Sequence, residues 1–374
     1  MLTRCPDNSL WPLARPMQLN RPWIFALAIV FFASGCSGSN NSSADSPTSP
    51  NKAAGQSVSL TGAGSTFVTP AMSKWAYAYT QAHPDVSINY QSVGSGAGIG
   101  QFEAGTVDFG ATDVAMSDSD LKSAPEGAVQ IPMITGCTVV AYNVPGVANG
   151  LKLSGDVIAD IFLGTIAKWS DPRIVSQNPG VTLPDLPVAV IHRADSSGTT
   201  YIFTDYLCSV SPAWNAGPGK NKSPKWPTGV GGKGSEGVSG LIKRTPGSIG
   251  YVELAYAMQT KLTYGPVRNK SGKYVDPSVE STTAAANSQV RALTKDIRVS
   301  IVDCSAPDGY PIAGFTYAIL SKKPKEAPKG KALVEFLNWV LGPGQDMAKE
   351  LNYAPLPKSI ADINKAALAE VQTK

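Results

Sequence analysis

The chain has 374 residues, with 32 Lys and Arg against 28 Asp and Glu, for a net charge of +4. Residues 1–35 hold three arginines and one aspartate; without them the charge is +2, and no basic stripe interleaves with aromatics, which excludes a nucleic-acid footprint. Hydrophobic residues make up 43% and charged residues 16%, a globular balance with length enough for two domains of ordinary size.

Arg15 and Arg21 precede the apolar run Trp23–Phe32, which ends in Ala33-Ser34-Gly35-Cys36. A basic region, a short apolar core and small residues read as a secretory signal over residues 1–35. The core is shorter than the ~20 residues a transmembrane helix needs. The small residues before Cys36 resemble a bacterial lipobox, with Ala33 where Leu is usual, so Cys36 is the expected lipid attachment point. Simple secretion with a chance cysteine is the alternative, and Met17 is an alternative start to Met1. Residues 36–56 hold this cysteine and a tract of Ser, Asn, Pro and Ala without hydrophobic periodicity, which reads as a flexible tether.

Val58–Leu60 reads as a short strand running into Thr61-Gly62-Ala63-Gly64-Ser65-Thr66-Phe67. Met72, Trp75, Ala76 and Tyr79 recur at helical spacing and predict a helix over Thr69–Ala82, stopped by His83-Pro84-Asp85. His83 reads as a solvated helix-end residue. Val86–Tyr90 alternates as a strand, and Gly94-Ser95-Gly96-Ala97-Gly98 opens a helix to about Ala104. Val107–Asp113 is a strand ending in a polar turn. The strand–Gly/Ser/Thr turn–helix unit therefore repeats. That predicts an α/β architecture with parallel strands and a ligand beyond their carboxyl ends.

Val129–Ile134 and Thr138–Tyr142 read as a pair of strands around Gly136. Helical signal follows at Gly155–Leu163 and Ile166–Trp169. Leu186–Ile191 is a buried strand, and Tyr201–Leu207 has helical spacing. Residues 226–236 form a glycine-rich loop, read as a structural cap for a helix over Gly237–Lys243. The loop is not a P-loop, because Pro227 and Gly234 stand where that motif needs Gly and Ser/Thr. Ile249–Glu253 is a strand, Leu254–Gln259 a helix, residues 268–285 a polar loop, Tyr310–Leu320 a strand, and Lys329–Gly342 and Ile360–Val371 helices. Past Cys36 the cysteines are Cys137, Cys208 and Cys304, which permit at most one internal disulfide. Cys137 reads as packing, and Cys208–Cys304 is the candidate bridge. No spacing indicates a metal site, and no cofactor is expected.

Between the strand at 186–191 and the helix at 201–207 lies Arg193-Ala194-Asp195-Ser196-Ser197-Gly198-Thr199-Thr200. Exposed N–H groups at a helix start favour an anion, and an arginine adds a permanently charged planar fork suited to phosphate or carboxylate. Alone, the stretch reads equally as an Asp/Ser helix cap beside a surface arginine.

Together with Leu60–Phe67, Gly94-Ser95-Gly96, Val107–Asp113 and Gly247–Glu253, this stretch resembles the substrate-binding proteins of high-affinity bacterial phosphate ABC importers, in the same order over nearly the whole chain from residue 57. The resemblance implies a type II periplasmic-binding-protein fold. Two α/β lobes are joined by crossing strands near Ile134–Thr138 and Ala306–Pro311, with the ligand in the cleft. The first lobe is then residues 57–136 and 307–374, and the second is 137–306. By the same resemblance Thr66, Phe67, Ser95, Asp113, Arg193, Ser197, Gly198 and Thr199 contact inorganic phosphate, and Asp195 pairs with Arg193. Ser65 and Ser196 stand where that family often has Ala and Gly. Asp113 would accept the proton of a protonated phosphate oxygen and repel sulfate, which has none. The implied partners are an ABC permease and its ATPase, with a monomeric receptor tied to the membrane outside the cytoplasm by its lipid.

Two other readings use the same pocket. One is a secreted phosphomonoesterase, the other a binder of sulfate, molybdate or phosphonate. An esterase of this kind needs a metal cluster or an activated nucleophile. The sequence offers two histidines and no GxSxG elbow. His192 lies in an apolar context and reads as a strand-end packing residue.

Overall fold

The computed structural model describes residues 57–373 with the exception of Pro125; the expected signal sequence, Cys36 and tether fall outside that span. The first strand, β1 (Val58–Gly64), continues past Leu60. Its glycines permit this: a side chain at Gly62 would overlap the ring of Phe109, and one at Gly64 the backbone of Ala111, so neighbouring strands close directly on the glycine backbone. α1 (Thr69–Ala82) begins with Pro70 in its first turn and buries Met72, Trp75 and Tyr79, the stripe its spacing predicts. β2 (Val86–Ser92), α2 (Ser95–Glu103), β3 (Phe109–Thr112) and α3 (Asp118–Ser123) follow, then β4 (Ala128–Asn143). After β4 come α4 (Gly155–Leu163), α5 (Pro172–Val175), β5 (Ala189–Arg193), α6 (Gly198–Val210), α7 (Pro212–Ala216), β6 (Val230–Gly232) and α8 (Gly234–Arg244). The remainder is β7 (Ser248–Glu253), α9 (Leu254–Thr260), the short β8 (Thr263–Tyr264), β9 (Val267–Arg268) and β10 (Tyr274–Val275), α10 (Val279–Ser288), α11 (Val290–Leu293), β11 (Ala313–Ser321), α12 (Ala327–Val340), α13 (Pro343–Lys349) and α14 (Lys358–Leu368).

The main sheet runs β2-β1-β3-β11-β4-β7-β5-β6, with β8 added to β4. Strands β1, β2 and β3 are mutually parallel, as are β5, β6 and β7. β11 and β4 lie antiparallel to their neighbours between these two groups. β4 pairs with β11 over Ala128–Cys137 and with β7 over Thr138–Asn143, so one 16-residue strand joins both halves of the sheet. At the changeover the Thr138 N–H donates to the Ile312 carbonyl at 2.8 Å, which ties β4 to the segment that leads into β11.

Several elements differ from the sequence expectation. The two strands expected around Gly136 are one, because the ring of Phe67 fills the place of the missing side chain and the backbone stays extended. Residues 268–285 are not all loop. Ser278 and Ser281 form a capping box that starts α10, whose buried face is Thr282, Ala285 and Ala286. Residues 166–169 are not helical: Lys168 bridges Pro187, and the buried Trp169 indole donates to the Gly247 carbonyl at 2.9 Å. Cys137, Cys208 and Cys304 are all free thiols, so the candidate 208–304 bridge is not formed. Among the described residues no helix is long and apolar enough to cross a membrane.

The changeover in β4 gives a stability test. A methyl added at Gly136 would overlap the Phe67 ring and crowd Tyr353. Gly136→Ala should lower stability by about 1–3 kcal/mol, the usual cost of overpacking, read as a shift in the urea midpoint; an unchanged midpoint would mean that the ring is not held there.

Candidate anion-binding site

Four strand-to-helix turns converge at the carboxyl ends of the parallel strands. They are the β1–α1 turn (Ser65-Thr66-Phe67), the β2–α2 turn (Val93-Gly94), the β5–α6 turn (Ala194–Ser197) and the β6–α8 step at Lys233. A helix start leaves its first N–H groups without intrahelical acceptors and carries the positive end of the helix dipole. The fold therefore aims several such ends at one place before any side chain is considered.

Arg193 ends β5 and is 3% exposed. Its Nε donates to Asp195 Oδ1 at 2.8 Å, and its Nη2 pairs with Asp195 Oδ2. The other nitrogen, Nη1, donates to Thr66 Oγ1 at 2.9 Å, with longer contacts to Thr199 Oγ1 at 3.4 Å and Ser235 Oγ at 3.5 Å. The Gly234 N–H also donates to Asp195 Oδ1 at 3.0 Å. Burial works to raise the Asp195 carboxyl, but the hydrogen bonds and charge of Arg193 outweigh it and hold the group below the ordinary carboxylate value. Asp195 and Ser196 also press on the start of α2. A side chain at Gly94 would overlap Asp195, and the Gly96 N–H donates to the Ser196 carbonyl at 3.0 Å.

Asp113 follows β3 and is 5% exposed. Its Oδ1 accepts from Ser65 Oγ at 2.6 Å and Thr316 Oγ1 at 2.7 Å. Its Oδ2 has a long 3.5 Å approach from Ser95 Oγ, and its N–H donates to that same Oγ at 3.2 Å. Burial raises the carboxyl from 3.8 to about 6, against the lowering effect of Ser65, Thr316, Arg193 and Ser95. Gly198 stands directly over Asp113 and Ser95; any side chain there would overlap both. A cavity of about 150 Å³ adjoins Asp113 and reaches Tyr201, Asp205, Lys220 and Arg298.

The residues expected from sequence thus come together, with distinct jobs. Ser197 caps α6, accepting from the Thr200 N–H at 3.1 Å. Phe67 departs from expectation in one respect: its N–H donates to Ser65 Oγ at 3.0 Å, and its ring is wedged into β4 at Gly136. His192 stacks on Trp226 with ring centroids 4.6 Å apart, and burial lowers its pKa. Three participants were missed. Ser235 Oγ lies 2.8 Å from Thr66 Oγ1, so the glycine-rich loop at 226–236 delivers a site residue as well as starting α8. Glu236 accepts from Ser92 Oγ at 3.2 Å and from Tyr256 Oη at 2.9 Å. Thr316 lies inside β11, where nothing in the sequence marks it. For Ser235 the signal was present, because β6, its glycine turn and α8 repeat the same unit as the other three turns.

One buried guanidinium, several hydroxyls, helix-start amides and a carboxylate oxygen with only a 3.5 Å hydroxyl approach have the chemistry of a candidate site for a small anion. The PBP superfamily domain model matches residues 46–343. A phosphate-binding protein PstS of Xylella fastidiosa is 40% identical over 345 residues, 90% of this chain and 94% of its own. A second, from Methanocaldococcus jannaschii, is 36% identical over 361 residues, covering 91% of this chain and 92% of its own. In fold, the chain is similar to a high-affinity periplasmic phosphate-binding protein solved with phosphate, with TM-score 0.67 at 21% identity over 83% of this chain and 93% of the other. Sheet order, helix placement and these matches define a periplasmic-binding-protein fold of type II. Within that superfamily the chain belongs to the PstS family of phosphate-binding proteins.

The raised Asp113 carboxyl has a stability consequence. The folded state holds this proton more tightly than the unfolded chain, so the group's contribution is complete below the unfolded value of 3.8 and is lost as pH rises through about 6. Asp113→Asn cannot ionise. Without added anion, its stability relative to the parent should rise between pH 5 and pH 8 by roughly 1–2 kcal/mol. Urea denaturation at both pH values measures this, and a gap independent of pH would contradict a buried, raised carboxyl.

Proposed function

We propose that this protein is a non-catalytic receptor that binds one inorganic phosphate outside the cytoplasm and delivers it to an ABC importer. The observation that carries the reading is the pairing of a buried, half-neutralised Arg193 with an acceptor, Asp113, inside a ring of donors. Phosphate near neutral pH carries one or two protons. A site with donors alone would take phosphate and sulfate alike, whereas an ionised Asp113 gives the phosphate O–H an acceptor and places an unfavourable charge against sulfate. Thr66, Ser95, Ser197 and Thr199 supply hydroxyls, Gly198 permits close backbone approach, and Arg193 supplies the charge.

In this reading residues 57–136 and 307–374 form one lobe and residues 137–306 the other. The hinge is the changeover in β4 together with the segment before β11, where the two strands meet through Thr138 and Ile312. The contacts of Thr66 with Arg193 and Ser235, of Gly96 with Ser196, and of Ser92 with Glu236 are then contacts of the closed state. Export by the N-terminal signal and anchoring through Cys36 complete the proposal. The names of the PstS relatives support phosphate as the ligand.

Calorimetric titration of the purified protein with phosphate and with sulfate tests this. The parent should bind phosphate far more tightly than sulfate. Arg193→Ala should weaken phosphate binding by a factor on the order of 10²–10³, as expected for removing one member of a buried charged set. Asp113→Asn should narrow the phosphate-to-sulfate ratio at pH 7 by about tenfold or more and weaken phosphate itself less. Equal affinity of the parent for both anions would overturn the ligand assignment. Hydrolysis of p-nitrophenyl phosphate that is abolished by Thr66→Ala would overturn the non-catalytic reading.

A further inference from the structure

Asp113 is held by two hydroxyls from elements far apart in sequence. Ser65 comes from the β1–α1 turn. Its Oγ accepts from the Phe67 N–H at 3.0 Å, so its single proton is directed to Asp113 Oδ1 at 2.6 Å. Thr316 comes from β11, fully buried, at the point where the pairing of β11 with β4 shifts register between Thr316 and Tyr317. Such irregularities re-aim a side chain, and here the Thr316 hydroxyl meets the same Oδ1 at 2.7 Å. A carboxylate oxygen has two lone pairs. Oδ1 is therefore filled, and a proton there would displace a hydroxyl. Oδ2 has the 3.5 Å approach from Ser95, and the carboxylate lies under Gly198 at the start of α6.

We propose that Ser65 and Thr316 are positioning residues that determine anion selectivity: they occupy Oδ1 of Asp113 and reserve Oδ2 as the single acceptor that meets a ligand O–H. The proposal rests on the phosphate reading above. Two consequences follow. The shared proton between Asp113 and a bound anion sits on the Oδ2 side, in line with the ligand. The same two donors also stabilise the charged carboxylate, which is the form that rejects sulfate. A protonated Asp113 would instead offer sulfate a donor, so the pH at which sulfate is rejected is set by these hydroxyls.

The groups that face Asp113 are a guanidinium, three phenols and the paired charges of the adjoining cavity. Arg193 is a permanent cation paired with Asp195. The phenols of Tyr90, Tyr317 and Tyr353 are each raised first by burial, and so stay neutral. Asp205, Lys220 and Arg298 line the adjoining cavity, with Asp205 bonded to Lys220 and Ser300, and Arg298 paired with Asp118 and Asp296.

The test is calorimetric titration of the purified parent, Ser65→Ala, Thr316→Val and Thr316→Ser with sulfate and with inorganic phosphate from pH 5 to pH 8. In the parent, sulfate binding should fall away as pH rises through about 6. Ser65→Ala and Thr316→Val should each move that fall upward by about one pH unit, as loss of one hydrogen bond to a charged group implies. The phosphate-to-sulfate ratio at pH 7 should then drop about fivefold to tenfold, while phosphate affinity changes about threefold or less. Thr316→Ser, which keeps the hydroxyl, should retain the parent's sulfate profile. Profiles that superpose for parent, Ser65→Ala and Thr316→Val would overturn the inference, as would a Thr316→Ser shift as large as that of Thr316→Val, which would reduce Thr316 to packing. If Ser65→Ala does not fold, the two Thr316 variants decide the outcome. A parent that does not prefer phosphate overturns the phosphate reading and this inference with it; a parent that prefers phosphate beside unmoved variants overturns this inference alone.

Discussion

A guanidinium with almost no contact with water is the constraint around which this molecule is arranged. An isolated buried cation costs several kcal/mol even after relaxation, so Arg193 persists only because Asp195 grips it from one side and hydroxyls meet it from the other. Asp195 is within two residues of Arg193, so the pair forms within one turn and needs no other part of the chain. Thr66 is 127 residues away in sequence. Its contact with Arg193 requires β1 and β5, at opposite flanks of the sheet, to present their ends to one another. The local pair makes burial tolerable, and the distant hydroxyl makes the buried arginine part of a shared site.

That meeting depends on β4. It pairs with β11, itself bonded to β3, as far as Cys137 and with β7 from Thr138 onward, and so links the two parallel groups. Phe67 occupies the space at Gly136, and its backbone belongs to the same turn that supplies Thr66 and Ser65. Tyr353 donates to the Phe67 carbonyl at 2.5 Å, so the turn is anchored from behind as well. The site's first turn is thus packed against the changeover that joins the two halves of the sheet. A change in the angle at β4 cannot leave the position of Thr66 unaffected, which gives the proposed hinge motion a direct mechanical route to the ligand contacts.

Much of this was legible in the sequence, for reasons that differ by element. α1 is legible because the stripe of Met72, Trp75 and Tyr79 and the His83-Pro84 stop act locally. The anion-site turns were visible because glycine and hydroxyl residues between a strand and a helix have a specific chemical use. α10 was missed because its buried face is made of threonine and alanine, which carry little hydrophobic contrast, and because it sits against other elements rather than following its own periodicity. Gly136 reads as a break in sequence because glycine usually weakens a strand, and the distant Phe67 reverses that. Thr316 could not be found at all: a threonine inside an apolar strand looks like any β-branched core residue until the register shift and the carboxylate beyond it are known.

The two carboxylates of the site show how one fold assigns opposite tasks to the same functional group. Asp195 is largely buried against the full charge of Arg193 and is driven below the ordinary range, so it stays ionised and, in the proposed function, limits the net charge offered to an anion. Asp113 is more deeply buried, sees Arg193 only at a distance, and is driven upward despite its hydroxyl donors. With both ionised, the fixed side-chain charge of the site is net negative, so bare Coulomb attraction cannot be what draws an anion in. The attraction must come from directed donors: the helix-start amides, the hydroxyls and the one guanidinium edge that Asp195 leaves available. A site built this way gains little from charge alone and much from matching each oxygen with a donor or acceptor. That is the condition under which a single proton on the ligand can decide whether it is accepted.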